Sequence, residues 1–234
     1  MNYFAFRCEN EGQNIIPDIQ LFLTTQTAAL RTLIIHSGLA HLPDSPLFMD
    51  NLRSLDLCIT IPDAACLRQL LESGQQLESL LLGIRLDGSA LSSAFRRDRS
   101  HSVPCSLPKL REFEFILLEA DSDDDEDPDL FPVVAEFVRG HPMLEALCLS
   151  YRESRRDPED FGYTAAIWGV LPSLVHLRTL SMDAPEDLSC KLSGWLVPRT
   201  VVALEVRVLY GASWKGNCDV RMFHKASWSH DTHR

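Results

Sequence analysis

The sequence predicts an α/β fold: a repeat solenoid with a concave parallel sheet and helices or loops on its convex face. Three observations predict it. A six-residue pattern recurs along the chain, with large apolar residues at its first, fourth and sixth positions. The copies lie at intervals long enough for one strand and one return segment each. Several of the segments between them carry apolar residues at helical spacing.

The copies read "LRTLII" from Leu30, "LRSLDL" from Leu52, "LESLLL" from Leu77, "LREFEF" from Leu110, "LEALCL" from Leu144, "LRTLSM" from Leu177 and "VVALEV" from Val201. "MNYFAF" at the start is a possible eighth. Successive copies begin 22, 25, 33, 34, 33 and 24 residues apart. In an extended strand the fourth and sixth positions point the same way, so Leu55 and Leu57, or Phe113 and Phe115, bury together. One short strand cannot hide that face alone. Stacked copies form a parallel sheet, and the return segments cover its inward side.

The return segments supply the rest of the core. In "PDLFPVVAEFVRG", Leu130, Val133, Val134, Phe137 and Val138 fall on one helical stripe, Pro132 suits a first turn and Gly140 an end. "IPDAACLRQLLESG" puts Leu67, Leu70 and Leu71 on a stripe closed by Gly74. "YTAAIWGVLP" sets Tyr163, Ile167, Val170 and Leu171 on one side before Pro172 stops the turn. The solenoid is predicted over residues 1–208, with an acidic insertion at 121–129, and residues 209–234 form a tail or partial cap.

These phrases resemble leucine-rich repeats, whose period of ~20–29 residues covers the short intervals and leaves the longer ones to inserted loops. With "HPMLEALCLS" and "LPSLVHLRTLSM", the irregular periods are similar to the repeat regions of fungal F-box-associated proteins, from about Leu30 to Val208. The family's frequent asparagine, eight positions after the first leucine, is replaced by Gly38, Thr60, Arg85, Leu118, Arg152, Pro185 and Leu209. The resemblance implies substrate recognition for an SCF-type ubiquitin ligase. There a helical F-box binds a Skp-type adaptor and the repeats hold the protein to be ubiquitinated. The F-box itself is not found: "IIPDIQLFL", from Ile15 to Leu23, lies between two strands and reads as a convex-face helix. The other reading is a free-standing regulatory or inhibitory scaffold with no ligase link.

Composition narrows the setting. The chain has 234 residues, 45% of them hydrophobic, and a net charge of -11, which argues against general binding to nucleic acid or to an anionic membrane surface. No apolar stretch approaches the ~20 residues that span a bilayer. The opening "MNYFAFRCENEGQN" carries no secretory pattern. Seven cysteines, scattered singly, read as reduced thiols in a cytoplasmic or nuclear protein.

Chemistry-bearing motifs are few. "DSDDDEDPD", from Asp121 to Asp129, suggests a calcium loop, but Glu126 stands at the sixth position where glycine is needed and Pro132 at the twelfth. A solvated insertion is expected instead, with Ser122 suited to an acidophilic kinase. Cys218, His224, His230 and His233 hold only half of a zinc signature. Arginines concentrate in "FRRDRSH" and "YRESRRD", which read as solvated loops; pairing with acidic partners or with the acidic insertion is the other reading. Nucleophile elbow, P-loop and dinucleotide motifs are missing, so neither enzyme activity nor a cofactor or metal is expected.

A partner is expected on the concave face, which takes the third, fifth and seventh positions. The candidate residues are Thr32, Ile34, Ser54, Asp56, Ser79, Leu81, Glu112, Glu114, Ala146, Cys148, Thr179, Ser181, Asp183 and Glu205. Most are small, polar or acidic. Such a surface favours a protein partner with a basic or hydrogen-bonding segment.

Overall fold

The computed structural model describes residues 3–7, 30–37, 46–61, 64–86, 91–96, 107–120, 126–152, 156–189 and 194–208. Its centre is one eight-stranded sheet: β1 (Tyr3–Arg7), β2 (Thr32–Ser37), β3 (Ser54–Ile61), β4 (Ser79–Leu86), β5 (Glu112–Ala120), β6 (Ala146–Tyr151), β7 (Thr179–Ala184) and β8 (Ala203–Val208). The strands lie side by side in chain order, and every neighbouring pair is parallel. All seven pattern copies are therefore strands, and the opening "MNYFAF" supplies the eighth. Each repeated strand begins at the third position of its copy.

Register follows the sequence pattern position for position. Leu55 pairs with Leu80, Leu80 with Phe113 and Phe113 with Leu147, so fourth positions form one row and sixth positions another. A slip of one residue would turn every leucine to solvent, which is why the pattern fixes the pairing. The single shift within β4–β5 falls between Ile84 and Arg85, past the end of the pattern.

Two backbone arrangements recur with the pattern. Each of β3 to β8 is approached through a turn in which the first-position N–H donates to the carbonyl three residues back. Leu77 to Gly74 at 2.9 Å, Leu110 to Leu107 at 3.0 Å and Leu144 to His141 at 3.1 Å are examples. The second-position carbonyl then accepts two N–H groups of the next copy, as Arg53 O does from Glu78 and Ser79 at 2.7 and 2.9 Å. The same pair of bonds continues to Arg178 O, which accepts from Val202 and Ala203. Similar sequence thus produces similar backbone at every step from β2 to β8.

The core lies on the side of the fourth and sixth positions, where Leu33, Leu57, Leu82, Phe115, Leu149 and Met182 are at most 2% exposed. Each such aliphatic side chain contributes about 1.5–3 kcal/mol on leaving water. The return segments close this side with α1 (Ala64–Ser73), the short α2 (Ser92–Phe95) and α3 (Leu130–Arg139). Leu67 and Leu71 of α1, and Leu130, Val134 and Val138 of α3, are fully buried, as their spacing predicts. Rings then run through the core edge to face: Phe95 on Phe115, Phe115 on Phe131 and Phe131 on Tyr163, at 5.8, 5.5 and 4.5 Å between centroids.

Three expectations need correction. The helix expected around Ile167 is a 3-10 helix over Ala165–Ser173, and Pro172 lies inside it rather than ending it. Three residues per turn stacks Ile167 on Val170 and Trp168 on Leu171, so the buried side chains stand in two straight rows. The acidic run is not wholly solvated. Asp127 is 4% exposed and accepts the Ser92 backbone N–H at 2.8 Å at the start of α2, while Asp129 pairs with Arg96. The run thus ties the α2 return to the α3 return, and "FRRDRSH" supplies the arginine. The third correction concerns the seventh positions of the candidate face, and its geometry follows below.

Polar groups also pin the turns. His141 is 5% exposed; its Nε2 accepts the Leu107 N–H at 3.0 Å and its Nδ1 donates to Phe137 O at 2.7 Å. Those two bonds require the neutral Nδ1–H tautomer. The segments Ile15–Leu23 and 209–234, Ser122, and the tail residues Cys218, His224, His230 and His233 lie outside the described residues.

Candidate functional site

Opposite the core, strand geometry sends the third, fifth and seventh positions to one face. Register joins them into rows. The third-position row runs Tyr3, Thr32, Ser54, Ser79, Glu112, Ala146, Thr179, Ala203. The fifth-position row runs Ala5, Ile34, Asp56, Leu81, Glu114, Cys148, Ser181, Glu205. No residue in either row is buried. Glu112, Thr179 and Glu205 are exposed, whereas Thr32, Ile34, Ser54, Asp56, Ser79, Leu81, Glu114, Ala146, Cys148 and Ser181 are half-buried.

The seventh positions behave differently. His36, Cys58 and Arg207 are half-buried, but Gly83, Ile116, Ser150 and Asp183 are buried. A side chain built on Gly83 would meet Leu118 Cδ1 at 3.3 Å and Cys58 Sγ at 3.5 Å, so neighbouring side chains already lean over that row. The face is open along two rows, and the third is closed from Gly83 to Asp183.

Asp183 shows what closes it. Its Oδ2 accepts the Tyr151 backbone N–H at 2.6 Å and the Ser150 hydroxyl at 3.1 Å. Its Oδ1 lies 3.0 Å from Arg207 Nε, and Arg207 Nη2 donates to Ser150 Oγ at 2.9 Å. From the core side, the Tyr163 hydroxyl donates to Asp183 O at 2.8 Å and accepts the Asp183 N–H at 3.1 Å. Asp183 was expected to face a partner, but its carboxylate is buried along the sheet against Ser150, Tyr151 and Arg207. The alternation of the strand shows which way Asp183 leaves the backbone; it carries no information on Ser150 or Arg207, whose copies lie elsewhere in the chain. Burial raises the Asp183 pKa, ahead of the lowering from Tyr151, Arg207, Ser150 and Arg152.

The open rows have their own order. His36 Nε2 and Asp56 Oδ1 are 2.9 Å apart, and the Ser181 hydroxyl donates to Glu205 Oε2 at 3.1 Å. Cys148 stands between Glu114 and Ser181 in the fifth row. Burial, reinforced by the Glu114 charge, pushes its thiol up to about 11 against the opposing effects of Ser181 and Arg207. Burial also raises Cys58, with Arg85 lowering it and Asp56 raising it further. Both thiols are therefore protonated at neutral pH, although Cys58 neighbours His36 and Asp56. The arrangement presents hydroxyls, thiols and carboxylates as a surface for hydrogen bonding.

Among the described residues, no three His, Cys, Asp or Glu side chains converge to hold a metal ion. No helix among them is long and apolar enough to cross a membrane. Compared with known proteins, the chain matches no family model, and no curated protein matches it.

Proposed function

We propose that the chain is a leucine-rich-repeat solenoid that acts as a non-enzymatic protein-binding module through its open third- and fifth-position rows. One observation carries the reading: two registered rows cross the sheet, and no residue in either is buried. Glu112, Glu114 and Glu205 make the face acidic toward β5 and β8, which suits a partner segment rich in lysine, arginine or hydrogen-bond donors. The recurrent turn-and-strand backbone supports the repeat reading, since neighbouring units then contribute equivalent positions to one surface.

The setting we propose is substrate recognition for an SCF-type ubiquitin ligase in the cytoplasm or nucleus, with a Skp-type adaptor reached through an F-box outside this chain. The sequence resemblance supports that setting. Affinity purification of the tagged native protein, followed by mass spectrometry, tests it. Recovery of a Skp-type adaptor together with a cullin supports the receptor reading. Reproducible recovery of other proteins without either one favours a free-standing scaffold.

A further inference from the structure

The end of the sheet at β8 is unlike its interior. Fourth- and sixth-position side chains of β2 to β7 are at most 2% exposed, yet Leu204 and Val206 of β8 are 39% and 42% exposed. Val202, just before the strand, and Trp195, in the segment that leads to it, are 79% and 86% exposed. Among the described residues β8 pairs with β7 alone, so its outer backbone edge is also open. An apolar edge strand of this kind is a template for another strand.

We infer that this edge takes a second copy of the chain, with the two β8 strands antiparallel about a two-fold axis through Val206. The charges select both partner and register. A two-fold at Glu205 or at Arg207 sets like charges against each other. A two-fold at Val206 sets Glu205 against the partner's Arg207, twice, on the outer face. Val206 then meets its own copy on the apolar face. Within one copy Glu205 bonds Ser181 and Arg207 bonds Asp183 and Ser150, all on the inner side of β8, so pairing exchanges part of these contacts for those with the partner. The product is one continuous sheet spanning both copies, with both edges at β8 removed from water.

The test is sedimentation of the full chain over about 1–100 µM, the range in which a small edge interface associates. A mass that doubles with concentration is expected, and Glu205→Lys should raise the dissociation constant at least about tenfold, because it opposes the partner's Arg207. Register is read separately with Val206→Cys, which should give a disulfide-linked dimer containing a 206–206 peptide, and with Ala203→Cys, which should not. A monomer over the whole range without that peptide overturns the inference. A monomer whose residues 203–208 resist hydrogen exchange overturns it too, by assigning the edge to the chain's own residues 209–234.

Discussion

Asp183 Oδ2 sits 2.6 Å from the backbone nitrogen of Tyr151, joining the ends of β7 and β6 through a side chain rather than through the sheet ladder. This contact, with Ser150 and Arg207, closes the seventh-position row. Asp183→Ala removes the acceptor from Tyr151 N–H and the Ser150 hydroxyl and the counter-charge from Arg207 at once. It should cost about 2–4 kcal/mol in urea unfolding, because a buried donor without a partner bears its full desolvation penalty.

The same residue sets a pH dependence. The folded protein holds the Asp183 proton more tightly than the unfolded chain, since burial raises its pKa above the ordinary 3.8. Its contribution is full below 3.8 and is lost as pH rises through the folded value. The stability of wild type relative to Asp183→Asn should therefore fall between acid and neutral pH. A difference that grows with pH would mean that Arg207 and Tyr151 outweigh burial.

Gly162 follows the 3-10 turn Pro158–Phe161 with φ 69°, and a Cβ there would run into Pro128 O and into the Pro132 ring. Gly162→Ala should cost at least about 2 kcal/mol, combining backbone strain with a clash against α3. Thermal unfolding against wild type checks this. An unchanged midpoint would mean that the turn relaxes away from α3.

Cys148 should resist alkylation at pH 7–8, with a rate that climbs as pH approaches about 11. Replacing Glu114 with Gln removes one of the causes of the raised pKa and should speed labelling at pH 8. Peptide mapping after iodoacetamide treatment separates Cys148 from the other thiols. Labelling as fast as in the unfolded chain would place the thiol in open solvent.

The sheet was legible because its signal is local: spacing within six residues fixes which side chains bury, and recurrence fixes the neighbours. Leu67, Leu71, Val134 and Val138 were legible for the same reason, at helical period. Trp168 was not, because a 3-10 helix presents a three-residue period that the apolar stripe does not distinguish from an α-helix. Asp127 and Asp183 failed for a different reason. Their partners, Ser92 and Arg207, lie in other units, and no spacing within one copy encodes a contact between copies. In the acidic run the carboxylates read as one solvated block, while the fold selects Asp127 to hold α2 and Asp129 to meet Arg96.

The central claim is that the open rows bind a protein. The most direct measurement compares proteins captured from native cells by the tagged wild-type chain and by the Glu112→Lys, Glu114→Lys double variant. Both carboxylates lie off the core side, so the variant should unfold at the wild-type denaturant midpoint. The account predicts that a partner held by wild type is lost, or weakened at least about tenfold, which is about 1.4 kcal/mol. An equally folded variant that captures the same partners with the same affinity contradicts it and moves the binding site off this face.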